Sequence, residues 1–129
     1  MQKECVFSPS GPPALGPYSH AVKANGFLFV SGQGPVARDG SGPVRGTVEE
    51  ETRLTFENIK AVLADAGSGL DAVVKVTAYL SDMVNFGKFN DVYKTYFQDN
   101  QPARTCIQAG RLPGDIQVEI DVIAIIPQG

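Results

Sequence analysis

Residues 102–119 read PARTCIQAGRLPGDIQVE, and local chemistry is enough to fold this stretch on paper. Leu112-Pro113-Gly114-Asp115 is a four-residue turn, with Pro at the second position, where its fixed φ suits the bend, and Gly at the third, where a positive φ is needed. The stretch therefore reads as a β-hairpin. With Leu112 facing Asp115, Gln108 opposes Glu119, Cys106 opposes Asp121 and Arg104 opposes Ile123. Side chains alternate along a strand, so Arg104, Cys106, Gln108, Glu119 and Asp121 are expected on one face. The other face of the second strand carries Ile116, Val118, Ile120, Val122, Ala124 and Ile126, an unbroken apolar set that must lie against the core. On this reading a cation, a thiol and carboxylates sit on a rigid sheet, turned away from the interior.

Working back along the chain, Asn85 is expected to cap a helix in which Phe89, Val92, Tyr93, Tyr96 and Phe97 form a single apolar stripe. Before it, residues 72–80 (AVVKVTAYL) read as a strand with Val74, Val76, Ala78 and Leu80 on its buried face. Thr47 opens an earlier helix, with Glu50 three residues on as a capping box. Val48, Thr55, Ile59, Val62, Leu63 and Ala66 follow helical spacing, and Gly67 and Gly69 stop the helix. Residues 37–46 make a polar loop. Asn25-Gly26 predicts a type I′ hairpin joining residues 19–24 to 27–31, and Glu4 to Phe7 is a short strand. The order β, β-hairpin, α, β, α, β-hairpin predicts an α+β sandwich, a mixed sheet with two helices packed on one face. The helix-free face still carries Ile123 and Ile125, for which a second copy of the chain is the simplest cover.

The length of 129 residues predicts one domain, residues 1–129, large enough to bury roughly two thirds of its unfolded surface. A net charge of −3 and scattered single Lys and Arg residues argue against a nucleic-acid partner. No stretch approaches the roughly 20 apolar residues of a membrane span. The N-terminus MQKECVFSPS lacks the apolar run of a signal peptide, so the expected compartment is the cytoplasm. There Cys5 and Cys106 should be free thiols, and one histidine with two cysteines predicts no structural metal.

Pro102-Ala103-Arg104, Cys106, Arg111-Leu112-Pro113 and Val118-Glu119-Ile120 together resemble the C-terminal signature of the RidA/YjgF family of enamine/imine deaminases. The likeness extends to Leu15-Gly16-Pro17-Tyr18, to Val30-Ser31-Gly32-Gln33 and to Asn90, and so covers nearly the whole chain. It implies a chorismate-mutase-like fold and a homotrimer whose sheets surround a central barrel, with active sites between subunits. It also implies hydrolysis of 2-enamine/2-imine acids, such as 2-aminoacrylate, to 2-keto acids and ammonia without a cofactor, protecting pyridoxal-phosphate enzymes. Gln101 precedes the Pro where an aromatic is common in the family, which bears on substrate preference.

Each candidate also has a plainer reading. Arg104 reads equally as a surface or interface ion pair, yet its planar fork can bind a carboxylate by two parallel hydrogen bonds. The resemblance gives it that role, and gives Glu119, otherwise an ordinary exposed strand residue, the activation of water. Cys106 has no histidine at an informative spacing, so it reads as a small pocket-lining residue rather than a nucleophile. Tyr18, Ser31, Gly32 and Asn90 match family positions lining the ligand cleft, although alone Tyr18 reads as packing, Ser31 and Gly32 as a strand end, and Asn90 as a polar residue at the edge of the second helix. His20 reads as structural. The rival class is a non-catalytic binding protein that senses a small carboxylate or 2-keto acid with the same arginine. A ribonuclease would want a basic groove and an acid/base pair that one histidine does not supply.

Overall fold

The computed structural model of the chain describes residues 2–127. Six strands and two α-helices follow in order: β1 (Glu4–Val6), β2 (Ala21–Ala24), β3 (Phe27–Gln33), α1 (Val48–Asp65), β4 (Val73–Leu80), α2 (Phe86–Tyr96), β5 (Ala103–Gln108) and β6 (Val118–Ile125). They form one mixed sheet in the order β1-β2-β3-β6-β4-β5, antiparallel except for the parallel pair β4–β5. The α+β architecture with its mixed sheet and two helices is the one expected.

The local signals act as their chemistry requires. Asn25 and Gly26 both take positive φ, 53° and 81°, and join β2 to β3 as a tight hairpin. At the start of α1 the Thr47 hydroxyl accepts from the Glu50 N–H (3.1 Å), and the Glu50 carboxylate accepts from the Thr47 N–H (2.8 Å), a complete capping box. At its end Gly67 turns to φ 84°, and the Ser68 N–H donates back to the Leu63 carbonyl (2.8 Å). Asn85 stands at the entry of α2 without a side-chain cap bond. Asp82 does the capping instead, accepting from the Val84 N–H (3.0 Å) at the 3-10 turn that leads into the helix.

One face of the sheet and both helices share the core. Leu28, Val30, Val76, Ala78, Leu80, Val118, Ile120, Val122 and Ala124 pack with Phe56, Ile59, Val62 and Leu63 of α1 and Phe89 and Tyr93 of α2. Phe56 stacks on Tyr96 at 4.7 Å between ring centres and meets Tyr93 and Phe97 edge-on, locking the two helices together. The stripe predicted on β4 is corrected at one position. A register shift between Val73 and Lys75 turns Val73 inward and leaves Val74 outside.

The larger correction concerns residues 102–119, which do not form a hairpin. The turn is there, with Gly114 at φ 73° and the Asp115 N–H donating to the Leu112 carbonyl (3.0 Å), but β4 lies between the strands it connects. The crossover through α2 lays β5 parallel beside β4. Residues 109–117 then pass over the end of β4. The Ala109 N–H donates to Leu80 O (2.9 Å) and the Ser81 N–H to Gln117 O (3.0 Å). Composition explains the choice of places. The inward residues of β6 are apolar and fully buried, as a central strand requires, whereas ARTCIQ of β5 is half-buried or exposed throughout and suits the edge.

Candidate functional site

The loss of the hairpin separates the residues expected on one face. Arg104 and Cys106 stand beside Val76 and Ala78 of β4, on the face that the helices cover. Glu119 and Asp121 stand beside Tyr79 and Thr77, on the helix-free face. The candidate residues therefore fall into two groups, one on each side of the sheet.

The first group is built at the edge strand against α2. The Arg104 guanidinium donates to Asn90 Oδ1 (2.6 Å) and lies over the Tyr93 ring at 4.7 Å and near the Phe86 ring at 5.5 Å. Phe86, Asn90 and Tyr93 stand at i, i+4 and i+7, so one turn-by-turn face of α2 forms a platform that aims the guanidinium. Among the described residues Arg104 has no carboxylate partner. A cavity of about 310 Å³ opens beside it, lined by Asn90, Tyr93, Lys94, Gln101, Pro102 and Arg104. Burial pushes the Cys106 thiol up, opposed by the Arg104 charge, so the sulfur is held as a thiol. Burial also raises Tyr93, whose hydroxyl has no hydrogen-bond partner among the described residues. Phe86 and Tyr93 are the site residues the sequence reading missed. The helical spacing that links them to Asn90 is the signal available in the sequence; the packing stripe takes in Tyr93 and omits Phe86.

The second group is built around a bulge. Between Val30↔Val122 and Gln33↔Ile120, Ser31 and Gly32 of β3 oppose the single residue Asp121. The Ser31 hydroxyl donates to Ser19 O (2.7 Å), tying the bulge to the loop that carries Tyr18. Tyr18 is 45 % exposed, and its hydroxyl accepts from the Leu15 N–H (3.4 Å). A β-carbon on Gly32 would come within 3.1 Å of Glu119 Cδ, so glycine makes room for this carboxylate. Burial pushes the Glu119 carboxyl above the ordinary glutamate range, and Asp121 pushes it further. Asp121 itself accepts from the Tyr79 hydroxyl (3.0 Å). A cavity of about 310 Å³ adjoins Glu119 and Gly32. A half-buried acid that holds its proton more tightly than usual, beside open space, is suited to exchanging protons with a small molecule.

His20 belongs to neither group. It is buried, with the Ser8 N–H donating to Nδ1 (3.1 Å) and Nε2 donating to Pro12 O (2.6 Å), and it holds the N-terminal loop. Among the described residues no group of three or more His, Cys, Asp or Glu could hold a metal ion. Among the described residues no helix is long and apolar enough to cross a membrane.

Comparison with known proteins gives a consistent result. The family model described as endoribonuclease L-PSP matches residues 9–126. A RutC family protein of Pyrococcus abyssi is 44 % identical over 124 residues, covering 96 % of this chain and 98 % of the relative. TdcF of Escherichia coli, whose name assigns it provisionally as a reactive intermediate deaminase, is 36 % identical over 126 residues, covering 95 % and 97 %. The crystal structure of E. coli TdcF with bound serine superposes with a TM-score of 0.87 at 35 % identity, covering 95 % of this chain and 98 % of that one.

Proposed function

We propose, from the premise that this chain belongs to the endoribonuclease L-PSP family, the RidA/YjgF group, that it is a hydrolase of 2-enamine/2-imine acids. Its substrates are 2-aminoacrylate, the tautomer 2-iminopropanoate and their relatives, and its products are 2-keto acids and ammonia. No cofactor takes part. The observation that carries this reading is Arg104, an exposed guanidinium aimed by Asn90 and two aromatic rings, with no carboxylate spent on it among the described residues. Its fork fits the carboxylate common to these substrates. Serine bound in the E. coli relative is a small α-amino acid with the same carboxylate and three-carbon frame.

In this mechanism Arg104 holds the carboxylate and presents C2 of the imine to Glu119. The Glu119 carboxylate takes a proton from water as the water oxygen bonds to C2 and the C=N electron pair moves to nitrogen. The same proton then passes to nitrogen to give the carbinolamine. Glu119 next takes the hydroxyl proton and hands it to the amino nitrogen, and the C–N bond breaks with its electron pair on nitrogen as the oxygen closes to C=O, releasing ammonia and the 2-keto acid. A positioned carboxylate of this kind is worth on the order of 10²- to 10⁴-fold. Tyr18, Ser31, Gly32, Asn90 and Cys106 shape the cleft.

Arg104 and Glu119 of one chain lie on opposite faces of the sheet, so the complete site lies between copies. Exposed Phe27, Phe29 and Ile125, neighbours across β3 and β6 on the helix-free face, support the same assembly, since they are apolar surface that a neighbour would cover. The assembly proposed is a homotrimer with a central barrel, each copy acting as one domain over residues 1–129. Free Cys5 and Cys106 fit a reducing cytoplasm. The physiological role is protection of pyridoxal-phosphate enzymes from 2-aminoacrylate. A ribonuclease reading is disfavoured because both ring nitrogens of the single histidine are engaged in structural hydrogen bonds.

The test is pyruvate release from 2-aminoacrylate generated in place by a serine dehydratase, with wild type, Arg104→Ala and Glu119→Ala. Acceleration by wild type and its loss in both variants is expected. Absence of acceleration with a 2-keto acid still bound at Arg104 would move the protein to the sensor class.

A further inference from the structure

The cavity beside Glu119 is apolar in a way that 2-aminoacrylate does not use. Leu15, Val36, Pro43, Pro113 and Ile116 line it together with Glu119, and no cationic side chain does. Its volume of about 310 Å³ is room for on the order of ten waters. The walls are held in place before any ligand arrives. Arg45 donates twice to the Gly114 carbonyl (3.0 and 2.6 Å), pinning the turn at 113–115 to the loop that ends at Gly46. Buried Gly34 lets Ile116 form the floor, because a β-carbon there would come 2.6 Å from Ile116 Cδ1. Such a pocket rewards an apolar group that displaces loosely held water, and it offers nothing to an anionic one.

We infer that this cavity receives the substrate side chain, so that the preferred substrates are 2-imino acids with apolar side chains of about four carbons. This rests on the deaminase reading. The reacting C2 must stand next to Glu119, and the same carboxylate lines this cavity, so the carbons beyond C2 find apolar room there. Each buried methylene contributes about fourfold in kcat/KM, which is about 0.8 kcal/mol at 1.36 kcal/mol per tenfold. A leucine-derived imine should then exceed the alanine-derived one by at least about tenfold. The class of reaction supplying such substrates is two-electron oxidation at the α-carbon of apolar amino acids by an enzyme that passes the electrons to a flavin or a nicotinamide, which leaves a C2 imine with the side chain intact.

The experiment uses the full-length protein with an amino-acid oxidase turning over L-leucine or L-alanine, and compares kcat/KM for 2-keto acid formation from the two imines. The expected leucine-to-alanine ratio is about ten or more. Val36→Phe, which fills the cavity, should bring the ratio toward one. Leu15→Ala, at a residue 73 % exposed and so without risk to folding, should lower it by removing a wall. A wild-type ratio near or below one, or a ratio unmoved by both variants, overturns the inference while leaving the deaminase reading intact. No acceleration of either imine overturns both.

Discussion

Arg104 and Glu119 project from opposite faces of one sheet, with β4 between the strands that carry them. Two strand spacings, about 10 Å, and the thickness of the sheet itself separate their backbones from a common point. On the function proposed, a single chain carries two half-sites, and the chemistry proposed for them depends on a neighbour.

That dependence has a quantitative consequence. Arg104→Ala and Glu119→Ala, each inactive alone, should recover activity when unfolded together and refolded as mixed trimers. Random assembly gives about one site in four an intact Arg104 from one copy and an intact Glu119 from the next. Recovery of about a quarter of wild-type pyruvate release is expected. Zero recovery would mean that both residues serve the same site from the same chain.

Glu119 sets a pH dependence of known sign. Its carboxyl is raised above 4.5 by burial and then by Asp121, and only the carboxylate can take a proton from water. kcat/KM should fall as pH drops through this raised value. Asp121→Asn removes the repulsion and should move that limb to lower pH, whereas an unmoved limb would assign the titration to another group. Stability follows the same shift. The folded value lies above the unfolded one, so this group's contribution is full below the unfolded pKa and is lost as pH rises through the folded pKa. Glu119→Gln should melt above wild type at pH 7 and level with it below pH 4.

Gly32→Ala tests the fit between bulge and carboxylate. The added carbon would stand within 3.1 Å of Glu119 Cδ, and the side chain is the part that can move. A displacement on the order of 1 Å can cost about 10²-fold in rate. The loss should appear in pyruvate release, and Tm should fall with Gly32→Ala in wild type but not in a Glu119→Ala background, where there is no carboxylate to displace. Equal losses of Tm in both backgrounds would show that Gly32 acts through the backbone.

Thr47→Ala removes half of the capping box of α1 and lies away from both half-sites. A loss of about 1 kcal/mol is expected, lowering Tm by about 4 °C, with pyruvate release per folded protein unchanged. An unaltered Tm would mean that water replaces the cap at no cost.

Features carried by a few neighbouring residues could be read before any coordinates. Asn25-Gly26 needs two positive φ angles, Pro113-Gly114 needs one, Thr47 and Glu50 satisfy each other's N–H groups, and the stripes of α1 and α2 repeat at helical spacing. All of these depend on contacts three to eight residues apart, for which the chain has few alternatives. The family motifs in turn named most of the residues proposed for the two half-sites.

Which strand lies beside which was not local, and there the hairpin expectation failed. The Pro113-Gly114 turn can serve a hairpin or a step over an intervening strand equally well. The choice fell to competition for the centre of the sheet, won by β6 because Val118, Ile120, Val122 and Ala124 lose more by exposure than the polar side chains of β5 do. Once β5 became an edge strand parallel to β4, Arg104 came to face Phe86, Asn90 and Tyr93 of α2 rather than Glu119. Residue types and turns could be known from the order of amino acids. The face on which each charge lies could not, because it depends on how strands far apart in the chain divide the buried positions of one sheet.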